Sequence, residues 1–242
     1  MLEISAHIII ILSILFFLGF TLGSTLGFGS PLVIIPALML FFEPKEAIAL
    51  IVPAMLINNL AKLWLFKKSI DVKSAFRMGV TALPLAFLAS FFTESVHPLV
   101  LKLFVTIVLL YVVINRLISK RFEPKGSAIF WGIPTGIISG LSGTAGPFML
   151  IGMRKQRLTL THFVATVALL QTALQIIRIP GYLATEILST NLIWLSLFLA
   201  LFTIPSVFLS RAILKLLNPA QFEKALDIFL IAILIFMLIN FI

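Results

Sequence analysis

The sequence predicts an all-α polytopic membrane protein made of two inverted repeats, each a broken re-entrant helix hairpin followed by three transmembrane helices. The composition comes first: of 242 residues, 61% are hydrophobic and 11% are charged, far from the usage of soluble domains. Second, a Gly-rich turn that ends in proline occurs twice, at 23–36 and again at 140–152. Third, basic residues gather in a few short loops between apolar segments.

The first half contains five apolar segments, and the second of them is too short to cross a membrane. A helix rises about 1.5 Å per residue, so about 20 residues are needed to span the hydrocarbon. The Gly-rich turn separates the first two segments, and Pro84 is expected to kink the fourth. The segments cover residues 7–26, 31–42, 47–66, 78–92 and 98–118.

The second half repeats this order after a basic loop at 116–125. We therefore divide the single membrane domain into a first repeat, 1–121, and a second repeat, 122–242. The apolar segments of the second repeat cover 127–143, 147–153, 159–179, 190–210 and 222–242.

The correspondence between the halves is also visible in single residues. At the offset that aligns Gly27 with Gly143, Asn59 falls on Gln175 and Lys62 falls on Arg178. An amide and a cation thus follow the turn in the same order in both halves, which indicates an internal repeat.

Two topologies compete, and the positive-inside rule decides between them. If each broken pair crosses the membrane once, the basic loops divide almost evenly between the two sides. If each broken pair is a re-entrant hairpin, the four basic clusters 67–77, 116–125, 154–157 and 211–224 all lie inside. The second arrangement predicts inverted repeats in the cytoplasmic membrane with both termini outside.

The two Gly-rich turns are the candidate substrate site. Half-helices that begin near Pro31 and Pro147 would aim their N–H groups, and about half a positive charge each, into one central space. Such a site favours a small anion. The alternative is that small residues only permit close helix packing. The candidate ligands in the turns are Ser24, Thr25, Gly27, Phe28, Gly29, Ser30, Ser142, Gly143, Thr144, Ala145 and Gly146.

Lys62 and Arg178 are the most informative charged residues, because a cation inside a membrane costs about 2.5–3.5 kcal/mol on the mildest scale. We expect them to attract anions at opposite mouths, with Asn59 and Gln175 one turn deeper as hydrogen-bond donors. The alternative is that both cations snorkel to the membrane surface.

Other function classes are considered beside transport. The residues Gly140-Leu-Ser-Gly143 have the form found around the nucleophile of rhomboid-type proteases, with Ser142 as nucleophile and His162 as base. An anion channel with the same central site is a further alternative. No nucleotide-binding, zinc-protease or nucleic-acid-binding pattern is found. We expect no cofactor or metal, and partners limited to a small anion, the lipid bilayer and a coupling ion such as a proton or sodium.

The turns Gly-Phe-Gly-Ser-Pro-Leu and Gly-Leu-Ser-Gly-Thr-Ala-Gly-Pro-Phe, at the starts of two similar halves, resemble the sulfite exporter TauE/SafE family of membrane permeases. The resemblance covers essentially the whole chain. It implies a permease for small sulfur-containing or organic anions such as sulfite and sulfonates. The chain departs from the family pattern at Phe28, where other members have a smaller residue.

Overall fold

The computed structural model describes residues 6–26, 30–118, 126–153, 156, 158–216 and a few residues between 228 and 239. Over these ranges the fold is helical, with ten helices and one 3₁₀ turn at Lys67–Ser69 and no strand. The helices are α1 (Ala6–Leu26), α2 (Ser30–Leu38), α3 (Pro44–Leu65), α4 (Val72–Phe92), α5 (Pro98–Ile118), α6 (Ala128–Ser142), α7 (Gly146–Met153), α8 (Leu160–Ala184), α9 (Thr190–Ala200) and α10 (Thr203–Leu216).

Five segments of the described chain are long and apolar enough to span a membrane: Ala6–Thr25, Pro44–Leu65, Val72–Phe92, Thr161–Ala184 and Thr190–Ile213. The predicted all-α, polytopic membrane character is therefore confirmed.

The predicted segment 190–210 lies within the apolar span Thr190–Ile213. Its helix is interrupted at Leu201 and Phe202, between α9 and α10. Pro205 has no N–H to donate to the carbonyl of Leu201, which weakens the helix at this point. The predicted last span, 222–242, lies almost entirely outside the described residues.

Both broken pairs are helical hairpins. A Cβ added to Gly23 would lie 2.0 Å from the Ser30 nitrogen, and one added to Gly19 would lie 2.5 Å from Ile34 Cγ1. Hence α2 runs back along α1, and the turn closes only because residue 23 has no side chain. In the second pair, a Cβ at Gly152 would lie 2.7 Å from Trp131 Cβ, so α7 returns toward the start of α6.

Helix α6 packs against α4 through three glycines spaced four residues apart. A Cβ at Gly132 would lie 2.4 Å from the Met78 carbonyl oxygen, and one at Gly136 would lie 2.4 Å from that of Ala82. Gly140 meets Ala89 at the same separation. Small residues at this spacing let two helix backbones approach closely in a membrane. Because the contacts advance along both helices together, α4 and α6 run in the same direction.

The ends of the helices fall into two groups. At one end, Lys45 at the start of α3 forms an ion pair with Glu94 just after α4, at 3.1 Å. At the other end, the Asp71 N–H before α4 donates to Thr166 Oγ1 of α8 at 3.0 Å. There also, Arg211 of α10 lies 6.0 Å from the ring centroid of Phe66. The starts of α4 and α8 and the end of α10 thus share one end of the bundle.

Candidate functional site

Arg178 lies on α8 and has no exposed surface. Its Nη1 donates to Gln175 Oε1 at 3.0 Å, and its Nη2 donates to the Tyr182 hydroxyl oxygen at 2.8 Å. The residues at 175, 178 and 182 share one face of α8, because side chains three and four positions apart are neighbours on a helix. A buried side chain with these two bonds does not extend to the membrane surface, so the alternative that Arg178 snorkels is wrong.

The guanidinium stands against the second Gly-rich turn. A Cβ at Gly143 would lie 3.2 Å from Arg178 Nη2 and 3.5 Å from Ile35 Cδ1 of α2, so the second turn also lies beside the first hairpin. Gly143 ends α6 in the left-handed conformation, with φ 73°, which glycine adopts without strain.

Arg178 therefore sits at the carboxyl end of α6, where unpaired carbonyls carry partial negative charge. Two hydroxyls also cap this end: the Tyr182 hydroxyl donates to the Gly140 carbonyl oxygen at 2.6 Å, and Thr93 Oγ1 donates to the same oxygen at 3.2 Å. The cation offsets the negative end of α6 and leaves the amino end of α7 as the electropositive part of the turn.

Two buried side-chain nitrogens have no hydrogen-bond partner among the described residues: Arg178 Nε and Asn59 Nδ2. Asn59 lies on α3 and is 1% exposed. Buried polar atoms are nearly always paired, so each exception needs an explanation. Both atoms are N–H donors. Both also belong to residues that have a counterpart in the other repeat, since Asn59 aligns with Gln175 and Arg178 aligns with Lys62.

Helices α3 and α8 contact each other between these two donors. Gln175 Nε2 of α8 donates to Met55 Sδ of α3 at 3.6 Å, while its Oε1 accepts from Arg178. Both ends of the Gln175 amide thus have protein partners. In this structure Gln175 fixes Arg178 and joins the two helices, a different role from the free donor that was predicted.

Lys62 follows Asn59 on α3 and is 3% exposed. Burial to this degree excludes snorkelling for Lys62 as well. Within the described part of the chain, its ammonium group forms no ion pair.

At the first turn, the predicted residues Gly27, Phe28 and Gly29 lie outside the described residues. Ser24 Oγ donates to Asn58 Oδ1 at 3.2 Å, and Asn58 Nδ2 donates to the Thr203 carbonyl oxygen at 3.1 Å. Asn58 thereby joins the first hairpin to the break between α9 and α10. Thr25 donates to the Thr21 carbonyl oxygen within α1 at 2.8 Å.

At the second turn, the hydroxyls bond to each other. Ser142 Oγ lies 2.7 Å from Thr144 Oγ1 and also donates to the Ile138 carbonyl oxygen at 3.1 Å. Ala145 accepts the first backbone bonds of α7 from Phe148 and Met149. Ser142 and Thr144 therefore stabilise the turn.

A model of the family described as Sulfite exporter TauE/SafE matches residues 11–237. The chain belongs to the sulfite exporter TauE/SafE family. The resemblance predicted from the two turns is confirmed. Members of this family are membrane permeases rather than enzymes, so this TauE/SafE protein is a membrane transporter. No curated protein and no solved structure matches the chain.

The geometry agrees with membership of a transporter family in one further respect, because Ser142 and His162 do not form a catalytic pair. His162 is exposed, and its Nδ1 contacts Thr159 Oγ1 at 2.8 Å at the start of α8. Ser142 is fully buried. No hydrogen bond joins them among the described residues, so the structure does not bring together the pair that the protease alternative requires.

Sequence reasoning missed Tyr182 and did not foresee the contacts of Asn58. Tyr182 could have been found, because it lies four residues after Arg178 and is one of two tyrosines in the chain. The role of Asn58 could not, because its partner Thr203 is more than a hundred residues away and becomes accessible only where the predicted helix breaks.

Proposed function

We propose that this TauE/SafE protein is a secondary transporter that carries a small sulfur oxyanion such as sulfite across the cytoplasmic membrane by alternating access. The anion binds between the two Gly-rich turns. Arg178 donates a hydrogen bond to it, Asn59 offers a second donor on the other side of the Gln175–Met55 contact, and the amino ends of α2 and α7 add positive potential. Lys62 adds a further buried basic group on α3.

The pair of unpartnered donors, Asn59 Nδ2 and Arg178 Nε, is the observation that carries this proposal. Leaving a buried donor without an acceptor costs about 1–3 kcal/mol, and more when the group is charged. An oxyanion supplies several acceptor oxygens and a negative charge at once. A metal cation or an apolar solute would leave both donors unpaired.

The charge balance around the site also favours an anion. Arg178 and Lys62 are both buried, at 0% and 3% exposure. The acidic residues in the described chain lie at or near helix ends, as Glu94 and Asp71 do. A bound anion compensates charge that the described residues leave unbalanced.

We further propose that the repeats 1–121 and 122–242 are inverted, with both termini outside. The return of α2 along α1, and of α7 along α6, supports re-entrant hairpins. The contacts Asp71–Thr166 and Arg211–Phe66 support one common side for three of the four basic clusters.

Binding measurements on purified protein test the site. We expect sulfite to bind more tightly than acetate. Asn59→Asp replaces the unpaired N–H donor by a carboxylate, which has the same sign of charge as sulfite and repels it, so this variant should abolish sulfite binding. Arg178→Lys keeps the charge but removes the planar N–H donor, and should weaken sulfite binding at least about tenfold.

The matched controls are Asn191→Asp and Arg211→Lys, which make the same changes at exposed positions and should bind sulfite as the parent does. If Asn59→Asp and Arg178→Lys bind sulfite normally, the site lies elsewhere.

A transport assay separates a transporter from a channel. Uphill movement of sulfite into proteoliposomes with an imposed ion gradient identifies a transporter, since an anion channel only dissipates a gradient.

A further inference from the structure

The phenol of Tyr182 links the candidate anion site to the end of α6. We propose that Tyr182 is a positioning residue that holds the Arg178 guanidinium so that its Nε–H is the donor presented to the anion. This inference rests on the proposed function, because it assigns a role within the same site.

The contacts of Tyr182 leave its hydroxyl a single arrangement. Its oxygen accepts from Arg178 Nη2 at 2.8 Å, and its hydrogen is donated to the Gly140 carbonyl oxygen at 2.6 Å. The side chain is fully buried. Arg178 Cζ also lies 5.1 Å from the centroid of the Tyr182 ring, within cation–π range. The ring and the hydroxyl therefore hold the same guanidinium in two ways.

The consequence for Arg178 follows from the geometry of guanidinium donors. Nη1 is occupied by Gln175 and Nη2 by Tyr182, while Nε has no acceptor. A guanidinium is planar, and two fixed corners set the direction of the third. Without the phenol oxygen, Nη2 would be free to turn toward the anion, and the donor pattern that selects one anion shape over another would change.

Tyr182 also couples anion binding at Arg178 to the second hairpin, through its hydrogen bond to Gly140. Gly140 lies three residues before the left-handed Gly143, and its carbonyl belongs to the last turn of α6. An anion that accepts a hydrogen bond from the Arg178 Nε changes how strongly the Nη2 of the same guanidinium donates to the Tyr182 oxygen. The Tyr182–Gly140 bond is then affected as well, because neighbouring hydrogen bonds polarise one another.

The first test is Tyr182→Phe, which keeps the ring and removes only the hydroxyl. We expect sulfite binding to weaken about tenfold and the ratio of sulfite to acetate affinity to fall. A purely structural role would lower the melting temperature and leave that ratio unchanged. Tyr111→Phe is the matched control: Tyr111 stacks on Phe148 with centroids 5.5 Å apart, a contact that a phenylalanine retains.

The second test leaves Tyr182 intact. The chain has two tyrosines, so a Tyr111→Phe protein labelled with ¹³Cζ-tyrosine gives one NMR signal, from Tyr182. We expect sulfite to shift this signal and Arg178→Lys to abolish the shift. In Tyr182→Phe, the remaining signal from Tyr111 should not move.

The outcomes separate the two proposals. If sulfite binds while the Tyr182 signal stays fixed, or Tyr182→Phe keeps the parental selectivity, the positioning role is refuted and the anion site stands. If the unmodified protein binds neither sulfite nor acetate, the proposed function and this inference both fall. If Tyr182→Phe does not fold, the NMR titration decides the question alone.

Discussion

A buried guanidinium needs acceptors around it, and Arg178 finds them without a carboxylate in the described chain. Gln175 and Tyr182 supply neutral oxygens, and the carboxyl end of α6 supplies partial negative charge. Neutral partners offset only part of the desolvation cost of a full charge, which is several kcal/mol. A negatively charged ligand at the unpaired Nε can offset the rest of this desolvation cost. An Arg–carboxylate pair would already be neutral and would have less to gain.

Asp71 lies just before α4, outside the membrane-spanning helices. It caps α4: Oδ1 accepts from the Ser74 N–H at 3.1 Å and Oδ2 accepts from Ser74 Oγ at 2.7 Å. The Ser74 hydroxyl and N–H together lower the pKa of the Asp71 carboxyl. Asp71→Ala should lower the free energy of unfolding by about 1 kcal/mol, measured by thermal unfolding in detergent, whereas Asp71→Asn should retain most of the cap.

The pH dependence of that cap has a definite sign. Because the folded pKa is below the unfolded one, the ionised carboxylate contributes its full stability above the ordinary Asp value of about 4. The contribution is lost as pH falls through the lowered pKa. The parent protein should therefore lose stability relative to Asp71→Asn on acidification. Parallel melting curves for the two proteins down to low pH would contradict this assignment.

At the scale of elements, the interface between α4 and α6 depends on the absence of side chains. A Cβ at Gly136 would lie 2.4 Å from the Ala82 carbonyl oxygen, a backbone atom that cannot turn away. Gly136→Ala should push the helices apart and lower the free energy of unfolding by about 1–3 kcal/mol. Because α6 carries Gly140 and Gly143, sulfite binding should weaken as well.

Gly79→Ala is the matched control for this prediction. Gly79 is buried in α4, but a Cβ there would meet Leu170 Cδ1 at 3.5 Å, an ordinary van der Waals contact. Alanine is the better helix former by about 1 kcal/mol, so this variant should melt at the parental temperature or above. If the two variants melt alike, close packing does not explain the glycine spacing.

Helix positions were largely predictable from the sequence, while contacts between distant residues were not. Segment 98–118 coincides with α5, and both short half-helices, α2 and α7, lie where proline follows the Gly-rich turns. Hydropathy and turn residues are local signals, which is why they suffice here. The bond from Asn58 to Thr203 depends on tertiary packing, and no local pattern marks it. The break at Leu201 does have a local signal, Pro205, four residues further along.

At the scale of the whole molecule, the contacts between distant elements bear on topology. The re-entrant arrangement requires the chain segments before α8 and after α10 to lie on the same side as the basic loop 67–77. Asp71 contacts Thr166 near the start of α8, and Arg211 contacts Phe66 at the end of α3. Lys45 and Glu94 pair at the opposite end. The parallel arrangement would put Arg211 and Phe66 on opposite sides of the membrane.

Cysteine labelling can test this topology directly, because the chain contains no cysteine. We expect Lys155→Cys and Ile213→Cys to react with a membrane-impermeant maleimide only in inside-out vesicles, since both lie in basic clusters. Ser95→Cys, which is exposed beside Glu94, should react only in intact cells. Labelling of position 155 or 213 from outside would restore the parallel arrangement. The two turns would then no longer enter the membrane from opposite faces, and an anion held between them could not be released to each side in turn.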